Sequence, residues 1–390
     1  MIYEPAEDSF LIQKEVKRLA KGAVLELGIG SGILAGTALK STRVKSLIGV
    51  DIKNVCVEHC KQEIKDKRAR FLQSDLFENV PKKKFDVIIF NPPYLPEQEG
   101  ELWDLSANIT GGKQGYEVIE RFLANAADYL TDNGFILLLF STITGKLTVE
   151  SLIEQNLLEP EQLSKKAISF EQLHVYKIKR STFLKQLERK GVKDINFFAK
   201  GHRGYIHTGK LRGKKIAIKS QRPNIDAKDT VDNEAKQLKR LKKHKIGPEL
   251  LFSGKDYFAY KFVEGKFIID YFNQKSTKRT DVLNILIQVF EQMYKLDKLG
   301  LNKEEMHHPV KHVVVGPKNK MTLLDFERCK PKQTTHNVTQ FCQFVISGRL
   351  IRHLENHKLK ISMLDMLKHS KRYAHRKTRD NFEAILALIK

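Results

Sequence analysis

The sequence predicts two structural units, a doubly wound α/β unit followed by an α+β unit. Length, the order of apolar segments and the distribution of charge support this division. The chain has 390 residues, whereas a typical domain has roughly 100–200. Residues 1–180 contain 24 Lys and Arg against 25 Asp and Glu, a net charge of −1, and residues 181–390 contain 45 against 21, a net charge of +24. Because one domain rarely separates charge so sharply, we expect domains at residues 1–180 and 181–390.

The N-terminal half alternates apolar strand candidates with helical stretches. The first strand begins at residue 24, runs into a glycine-rich turn and leads to a helix over residues 33–40. Three further strands are predicted at residues 46–50, 85–90 and 135–140. Helical segments of suitable length separate these strands, and this alternation is typical of a doubly wound α/β sheet.

The turn after the first strand carries Gly28, Gly30 and Gly32, and Asp51 ends the next strand. Glycines at alternate positions let the backbone approach a cofactor closely, and a carboxylate at the Asp51 position can accept hydrogen bonds from ribose hydroxyls. The pattern therefore favours a nucleotide-type cofactor. The glycine turn by itself also suits a tight strand-to-helix turn without a ligand.

A second motif, Asn91-Pro92-Pro93-Tyr94, directly follows the strand at residues 85–90. The two prolines stop the strand and fix an extended turn, so the Asn91 amide and the Pro92 carbonyl can face one small group. A planar –NH2 group fits this pair, because its two hydrogens need two acceptors. Holding them there directs the nitrogen lone pair at an electrophilic methyl group, while Tyr94 can stack on the flat substrate.

At these residues the chain resembles the HemK-type class I methyltransferases, which use S-adenosylmethionine. It is more similar to the archaeal and eukaryotic release-factor glutamine methyltransferases, because residues 3–10 (Tyr-Glu-Pro-Ala-Glu-Asp-Ser-Phe) and 111–115 (Gly-Gly-Lys-Gln-Gly) resemble their motifs. The resemblance covers about residues 1–180 and implies a Rossmann-like methyltransferase domain. It also implies a translation release factor as substrate and a small zinc-binding protein as activator.

The resemblance assigns roles to individual residues. Asn91, Pro92, Pro93 and Tyr94 would form the catalytic motif. The cofactor site would contain Asp8 and Ser9 over the cofactor, Glu26, Gly28, Gly30 and Gly32 along it, Asp51 at the ribose and Asp75 at the adenine.

The methyl acceptor stays open at this point between a protein glutamine, a nucleobase such as adenine, and a lysine. Enzymes that methylate base amines use the same type of motif. The net charge of −1 favours a protein, since a domain that binds duplex nucleic acid alone is strongly basic. The acidic residues after the motif either attract a basic peptide or form a solvated loop; they are Glu97, Glu99, Glu101 and Asp104.

The C-terminal half shows a different order of elements. A helix over residues 182–192 precedes strands at 196–199, 205–208 and 215–220, and the first two strands flank Gly201 and Gly204. Lys219 ends the third strand. A lysine there can be held by a helix glutamate and offered to phosphate oxygens, and an aspartate after a later strand can hold magnesium.

This order resembles the kinase fold, most nearly the RIO-type kinases and the small archaeal kinases of the KEOPS assembly, over about residues 190–345. The resemblance implies a bilobal kinase-like domain that binds ATP with Mg²⁺. It places Gly201 and Gly204 in the glycine loop, pairs Lys219 with Glu234, puts Val263 near the hinge and makes Asp325 the metal ligand.

The catalytic loop departs from the kinase pattern. His307 and His312 stand where kinases carry the catalytic Asp and the metal-binding Asn, although Glu304 or Glu305 could supply a carboxylate. An active atypical kinase, a nucleotide-binding pseudokinase and an RNA- or ribosome-associated adaptor therefore all stay open.

The C-terminal tail is basic, and the sequence carries no targeting signal. Lys368–Arg379 interleaves basic residues with Tyr373, which favours contact with RNA or the ribosome over a merely solvated helix. No secretory leader or membrane span is predicted, and four cysteines are too few for a disulfide framework. We therefore expect a cytoplasmic protein.

Overall fold

The computed structural model describes residues 2–97, 110–201, 203–222 and 230–389. The chain divides into two compact units, Met1–Val192 and Lys193–Lys390. Three residues named above, Glu99, Glu101 and Asp104, lie outside the described residues.

The described part of the first unit forms a seven-stranded sheet with helices packed against it. Its strands are β1 (Gly22–Leu27), β2 (Val44–Asp51), β3 (Ala69–Gln73), β4 (Phe85–Phe90), β5 (Leu130–Ser141), β6 (Leu158–Ile168) and β7 (Glu171–Arg180). Its helices are α1 (Glu7–Leu19), α2 (Ile33–Leu39), α3 (Asn54–Glu63), α4 (Glu117–Ala126), α5 (Lys146–Gln155) and α6 (Thr182–Arg189). The strand order is β3-β2-β1-β4-β5-β7-β6, and β7 runs antiparallel to both of its neighbours.

Alternate residues of the central strands enter separate apolar cores. Val24 and Val87 belong to one core, whereas Leu25 and Ile88 belong to the other, and all four side chains are fully buried. Successive side chains of a strand point to opposite faces, so both faces of the sheet are covered. The predicted doubly wound α/β fold is therefore confirmed for this unit.

The sheet brings the two sequence motifs to one edge. Strands β1, β2 and β4 are parallel neighbours, so their carboxyl ends lie side by side. The glycine turn follows β1, Asp51 ends β2, and Asn91 follows β4. Ligands of such sheets bind outside the carboxyl ends of the strands, next to the point where the strand order reverses.

Helix α6 belongs to the first unit, although the charge pattern placed it in the second half. Local contacts with the final hairpin explain this. Arg180 of β7 forms an ion pair with Glu188 of α6, and the Thr182 amide donates to Glu159 Oε1 of β6 at 3.0 Å. The helix ends at Arg189 rather than at residue 192.

The described part of the second unit contains a five-stranded antiparallel sheet, two smaller sheets and a group of helices. The larger sheet has the order β11-β12-β10-β9-β8. The strands of the unit are β8 (Val192–Lys200), β9 (Gly204–Leu211), β10 (Lys214–Gln221), β11 (Leu250–Gly254), β12 (Tyr257–Lys261), β13 (Lys266–Phe267), β14 (Leu301–Asn302), β15 (Val313–Val315), β16 (Met321–Leu323) and β17 (Lys330–Pro331). The helices are α7 (Thr230–Leu241), α8 (Ile268–Phe272), α9 (Arg279–Lys298), α10 (Asn337–Val345), α11 (Gly348–Asn356), α12 (Met363–His375) and α13 (Arg379–Leu386). The kinase-like description of this unit stays a prediction.

Tyr373 is a core residue, so it does not share an exposed face with the basic side chains of Lys368–Arg379, and the RNA contact of this stretch stays a prediction. Its side chain is fully buried, and its hydroxyl donates to Asp297 Oδ2 at 3.1 Å. Met366, seven residues earlier on α12, is also fully buried. Residues seven apart share a helix face, and here that face packs into the core.

All four cysteines are buried free thiols. Within the parts of the chain that the structure describes, none of the helices combines the length and the apolar character that a bilayer span needs.

Candidate functional site

A cavity of about 390 Å³ opens at the carboxyl edge of the sheet in the first unit. This volume is within the usual range for small-molecule sites, about 300–1,000 Å³. The predicted residues that line it are Asp8, Ser9, Glu26, Gly28, Gly30, Asp51, Asp75, Asn91, Pro92, Pro93 and Tyr94. Gly32 is absent from this lining.

Asn91 has one side-chain atom engaged and one unpaired. Its Nδ2 donates to Asp8 Oδ2 at 2.9 Å. Its Oδ1 is buried, and no group among the described residues donates to it. A buried acceptor without a donor is costly, so such an atom in a ligand cavity indicates a donor that arrives with the ligand.

Asp8 is held by two hydroxyl donors from its own segment. Tyr3 Oη donates to Asp8 Oδ1 at 3.1 Å, and Ser9 Oγ donates to the same oxygen at 3.3 Å. The other carboxylate oxygen of Asp8 is therefore left for Asn91. Burial, together with the charge of Asp8, raises the pKa of both Tyr3 and Tyr94, so both phenols keep their protons at neutral pH.

The glycine segment at residues 111–115 supports the Asn91–Tyr94 turn from behind. The Gly111 amide donates to the Leu95 carbonyl at 2.8 Å. A Cβ at Gly111 would lie 2.2 Å from the carbonyl oxygen of Gly115 and 2.7 Å from that of Pro93. Only glycine fits this approach to the carbonyls of Gly115 and Pro93. Thr144 Oγ1 also donates to the Tyr94 carbonyl, at 2.9 Å.

Glu26 and Asp51 place acidic groups at the base of the cavity. Glu26 is almost completely buried, and its Oε2 is without a partner among the described residues. Burial, and then the charge of Asp51, raises the pKa of Glu26 well above its usual value. Asp51 accepts from the amides of Gly30 at 3.0 Å and Lys53 at 2.9 Å. A ligand that carries positive charge and hydroxyl groups, as S-adenosylmethionine does, fits these acceptors.

Substitution of Glu26 by Gln tests this fit, because it keeps the shape and removes the charge. We expect the Kd for S-adenosylmethionine to rise about tenfold at any pH where Glu26 is ionised, the loss of one charged hydrogen bond. Protonation of the raised-pKa carboxyl weakens binding to the original protein as the pH falls, whereas the Glu26→Gln protein lacks this dependence. Calorimetric titrations from neutral to acidic pH measure both effects. Glu63→Gln, an exposed site, is the control, and equal affinities at every pH would contradict the role.

The other two predicted residues differ from the expectation in detail. Asp75 lines the cavity, but its Oδ2 accepts from Arg121 Nη2 at 2.7 Å. Arg121 comes from α4 and belongs to no local motif, so the sequence alone does not indicate it. Gly32 caps α2 with a φ of 77°, and a Cβ there would lie 2.8 Å from Cys60 Sγ. Gly32 therefore shapes the turn and the packing of α2 on α3 rather than the cavity wall.

A second cavity, of about 480 Å³, lies within the second unit. Gly201, Gly204, Lys219, Glu234 and Asp325 line it, and Val263 is absent from its lining. Lys219 Nζ donates to Glu234 Oε2 at 2.6 Å and lies 4.0 Å from Asp325 Oδ1. Glu234 Oε1 also accepts from the backbone amide at position 326, at 3.0 Å.

Three carboxylates close to Lys219 change its pKa. Burial alone would lower the pKa of Lys219, but Glu234, Asp325 and Glu327 outweigh it and raise the pKa. Glu327 was not predicted as a site residue; its Oε2 is 3.6 Å from Lys219 Nζ, and its Oε1 accepts from Arg203. Glu327 is more than a hundred residues from both Lys219 and Arg203 along the chain, so no local pattern indicates these two contacts.

The segment between β14 and β15, residues 303–312, contains a buried lysine and three histidines. Lys303 is fully buried and donates to the Asp325 carbonyl; burial lowers its pKa. Burial, and then the charge of Lys303, lowers the pKa of His312 to about 4, so the imidazole is neutral at neutral pH. His307 and His308 are exposed.

Comparison with known proteins identifies relatives of the first unit. Residues 7–170 match the family described as "Methyltransferase small domain". A putative protein N5-glutamine methyltransferase of Methanocaldococcus jannaschii is 38% identical over 178 residues, which cover 45% of this chain and 89% of that protein. A release factor glutamine methyltransferase of Rhodopirellula baltica is 32% identical over 145 residues, which cover 34% of this chain and 49% of that protein, about half its length.

A solved structure also matches. The E. cuniculi Mtq2–Trm112 complex is described as responsible for the methylation of the translation termination factor eRF1. The match covers 46% of this chain and 99% of that chain, with 26% identity and a TM-score of 0.38.

Proposed function

Through its N-terminal unit this chain belongs to the family of protein N5-glutamine methyltransferases, and from that premise we propose that it methylates a glutamine of a translation release factor. The single observation that carries the proposal is the buried Oδ1 of Asn91, which has no donor among the described residues. An amide –NH2 is a donor that such an acceptor requires.

The residues at the cavity would have different roles in the reaction. When bound, S-adenosylmethionine would supply an electrophilic methyl group; the amide nitrogen would take this methyl group from sulfur and would lose one proton to water. Asn91 Oδ1 and the Pro92 carbonyl would accept the two amide hydrogens, which turns the nitrogen lone pair away from conjugation. Asp8 fixes the direction of Oδ1 by accepting from Nδ2. Tyr94, at the cavity wall, would hold the flat amide.

A glutamine is a better candidate for the methyl acceptor than a nucleobase. Two observations favour it, the net charge of the first half and the descriptions of the relatives. The first half carries a net charge of −1, whereas grip on duplex nucleic acid requires a basic surface. The relatives reported above are described as glutamine methyltransferases. Methylation of adenine or of a lysine is an alternative outcome of the test below.

The test offers several acceptors to the purified chain with labelled S-adenosylmethionine. They are a release factor with its Gly-Gly-Gln loop, the same factor with that glutamine changed to asparagine, duplex DNA and tRNA. The proposal expects label only in the intact release factor. Label in DNA or tRNA, or equal label in both release factors, would overturn it.

The second unit supports a second candidate function, the binding of ATP with Mg²⁺. The observation that favours it is Lys219, whose ammonium lies among Glu234, Asp325 and Glu327 in the wall of the second cavity. An ammonium held by carboxylates can be offered to phosphate oxygens, as in kinases. Whether phosphate is then transferred depends on the loop that carries His307 and His312.

Substitution of Lys219 by Ala is expected to weaken ATP binding at least about tenfold, since one charged contact to phosphate is lost. Fluorescence titration with an ATP analogue measures the change. Lys214→Ala, an exposed position on the same strand β10, is the control, and thermal unfolding of both variants monitors folding. Unchanged affinity in folded Lys219→Ala protein would remove this candidate.

Two partners remain proposals. The first is the small zinc-binding activator implied by the resemblance. The second is RNA or the ribosome, which exposed basic residues of α12, among them Lys368, Lys371 and Arg372, could contact. We expect affinity for tRNA to fall steeply as salt rises, measured by filter binding. Absent or salt-insensitive binding would count against the RNA contact.

A further inference from the structure

The end of β5 and the start of β7 lie beside the catalytic turn, on the side away from the cofactor residues. In the strand order β3-β2-β1-β4-β5-β7-β6, Glu26 belongs to β1, Asp51 ends β2 and Asn91 follows β4. Ser141 is the last residue of β5, and Glu171 is the first residue of the antiparallel strand β7, so both lie at the same edge of the sheet as Asn91. A methyl acceptor that reaches Asn91 while the cofactor occupies the β1–β2 side therefore lies next to these two residues.

Hydrogen bonds connect this part of the edge to the catalytic turn. Ser141 Oγ donates to Glu171 Oε2. Thr144, three residues after Ser141, donates through Oγ1 to the Tyr94 carbonyl at 2.9 Å. The charge of Glu171 also contributes to the raised pKa of Tyr3 and of Tyr94. The Glu171 carboxylate therefore lies near both phenols, on the side of the cavity where an acceptor enters.

Glu171 differs from other carboxylates of this unit because it has no cationic partner. Glu7 Oε1 pairs with Lys166 Nζ at 3.0 Å, and Glu150 Oε1 lies 3.8 Å from Lys146 Nζ. Within the ranges that the structure describes, no lysine or arginine forms an ion pair with Glu171. Its side chain is half-buried, where a charge pair is less screened than on an open surface. Glu171 can therefore attract a cation that arrives with a ligand.

Two exposed apolar side chains accompany Glu171 at this edge. Phe170 precedes it in the turn between β6 and β7, and its side chain is 97% exposed. Ile143 follows β5 and is 44% exposed. Its segment is joined to β7 by the Gln172 amide, which donates to Thr142 Oγ1 at 2.9 Å. Aromatic side chains are frequent anchors of protein interfaces, so this part of the edge has the composition of a protein-binding surface.

We propose that Glu171, Phe170 and Ile143 form the surface that binds the acceptor polypeptide beside its target glutamine. Glu171 accepts from a lysine or arginine of the acceptor, and the two apolar side chains contact apolar residues next to that cation. A carboxylate repels the phosphates of a nucleic acid, so a basic segment of a protein fits this surface better than RNA does. The inference rests on the proposed methylation of a glutamine and identifies the residues that select the acceptor.

The test measures methyl transfer by the full-length chain over a range of release-factor concentrations. For Glu171→Gln we expect KM for the release factor to rise about tenfold, the loss of one charged hydrogen bond, whereas kcat stays within about twofold. The substitution retains an oxygen that can accept from Ser141. The Kd for S-adenosylmethionine should not change. Glu63→Gln, at an exposed carboxylate of the same unit, is the control and should leave KM unchanged.

The apolar part of the surface has its own variants. Phe170→Ser should raise KM about fivefold, the usual effect of removing an aromatic interface side chain. Leu364→Ser, at an exposed apolar position of the second unit, is the control. Thermal unfolding monitors the fold of each variant, and Ile143→Ser provides a further variant if Phe170→Ser fails to fold.

A change in the acceptor tests whether Glu171 contacts a cation. The lysines and arginines beside the Gly-Gly-Gln loop of the release factor are changed to glutamine. The original chain should then show the same rise in KM, and Glu171→Gln should add nothing to it. Additive effects of the two changes would overturn the proposed contact.

The outcomes separate this inference from the proposed function. Absence of transfer to the release factor by the original chain would overturn the proposed function and this inference with it. Transfer with KM unchanged in both folded Glu171→Gln and folded Phe170→Ser would overturn this inference alone. A loss of kcat or of thermal stability at unchanged KM would assign Glu171 a structural role and would also overturn it.

Discussion

Replacement of Asn91 by Ala is expected to lower kcat for methyl transfer by about 10²–10³, the usual cost of removing one preorganised hydrogen-bonding group from a reacting centre. The substrate amide then retains the Pro92 carbonyl as acceptor but loses the buried Oδ1. Its nitrogen stays conjugated and is a poor nucleophile. Single-turnover transfer of labelled methyl to the release factor measures the loss.

The same variant should bind S-adenosylmethionine with an affinity within a few-fold of the original. The groups that fit the donor's charge and hydroxyls are Glu26 and Asp51, which Asn91 does not contact in the hydrogen bonds described above. Calorimetric titration checks this point. The control is Asn133→Ala, at an exposed position of β5, which should change neither quantity. Full activity of Asn91→Ala would exclude Oδ1 as the acceptor.

Replacement of Asp8 by Ala is expected to lower kcat by about 10²-fold, although Asp8 acts through Asn91 rather than on the amide itself. Without the hydrogen bond to Nδ2, the Asn91 side chain can rotate, and small misplacements of a reacting group have effects of this size. Asp8→Asn should recover part of the rate, because its Oδ1 can still accept from Asn91 Nδ2. Ser9→Ala should have a smaller effect, since Ser9 contacts only Asp8 in this network.

A double-mutant cycle tests whether Asp8 is a positioning residue. If Asp8 acts only by orienting Asn91, Asp8→Ala should cost nothing further in the Asn91→Ala background. Equal costs in both backgrounds would show that Asp8 acts independently, for example on the cofactor. The comparison uses single-turnover rates, so it does not depend on product release.

Features with a local signal could be predicted from the sequence. The apolar run of β1, its glycine turn and the Asn91–Tyr94 motif are each contiguous, and each occupies the expected place in the fold. Strands β3 and β6 could not be predicted in this way. They are the edge strands of the sheet and carry mixed or largely polar side chains, so they lack the continuous apolar run that marks a buried strand.

Contacts between distant segments could not be predicted either. Asp8 and Asn91 are separated by 83 positions, and only the packing of α1 beside the end of β4 makes them partners. Helix periodicity could have indicated the burial of Tyr373, since Met366 lies on the same face of α12. The prediction for this stretch rested on the basic residues around Tyr373, whereas the packing of α12 against the core buries the Tyr373 side chain.

The most direct test of the central claim locates the transferred methyl group. The purified chain is incubated with S-adenosylmethionine and a release factor, and tandem mass spectrometry maps the modified position. The account predicts one methyl group on the side-chain nitrogen of the glutamine in the Gly-Gly-Gln loop, and none with the Asn91→Ala protein. A methyl group on a lysine or on the backbone, or undiminished methylation by Asn91→Ala, would contradict it.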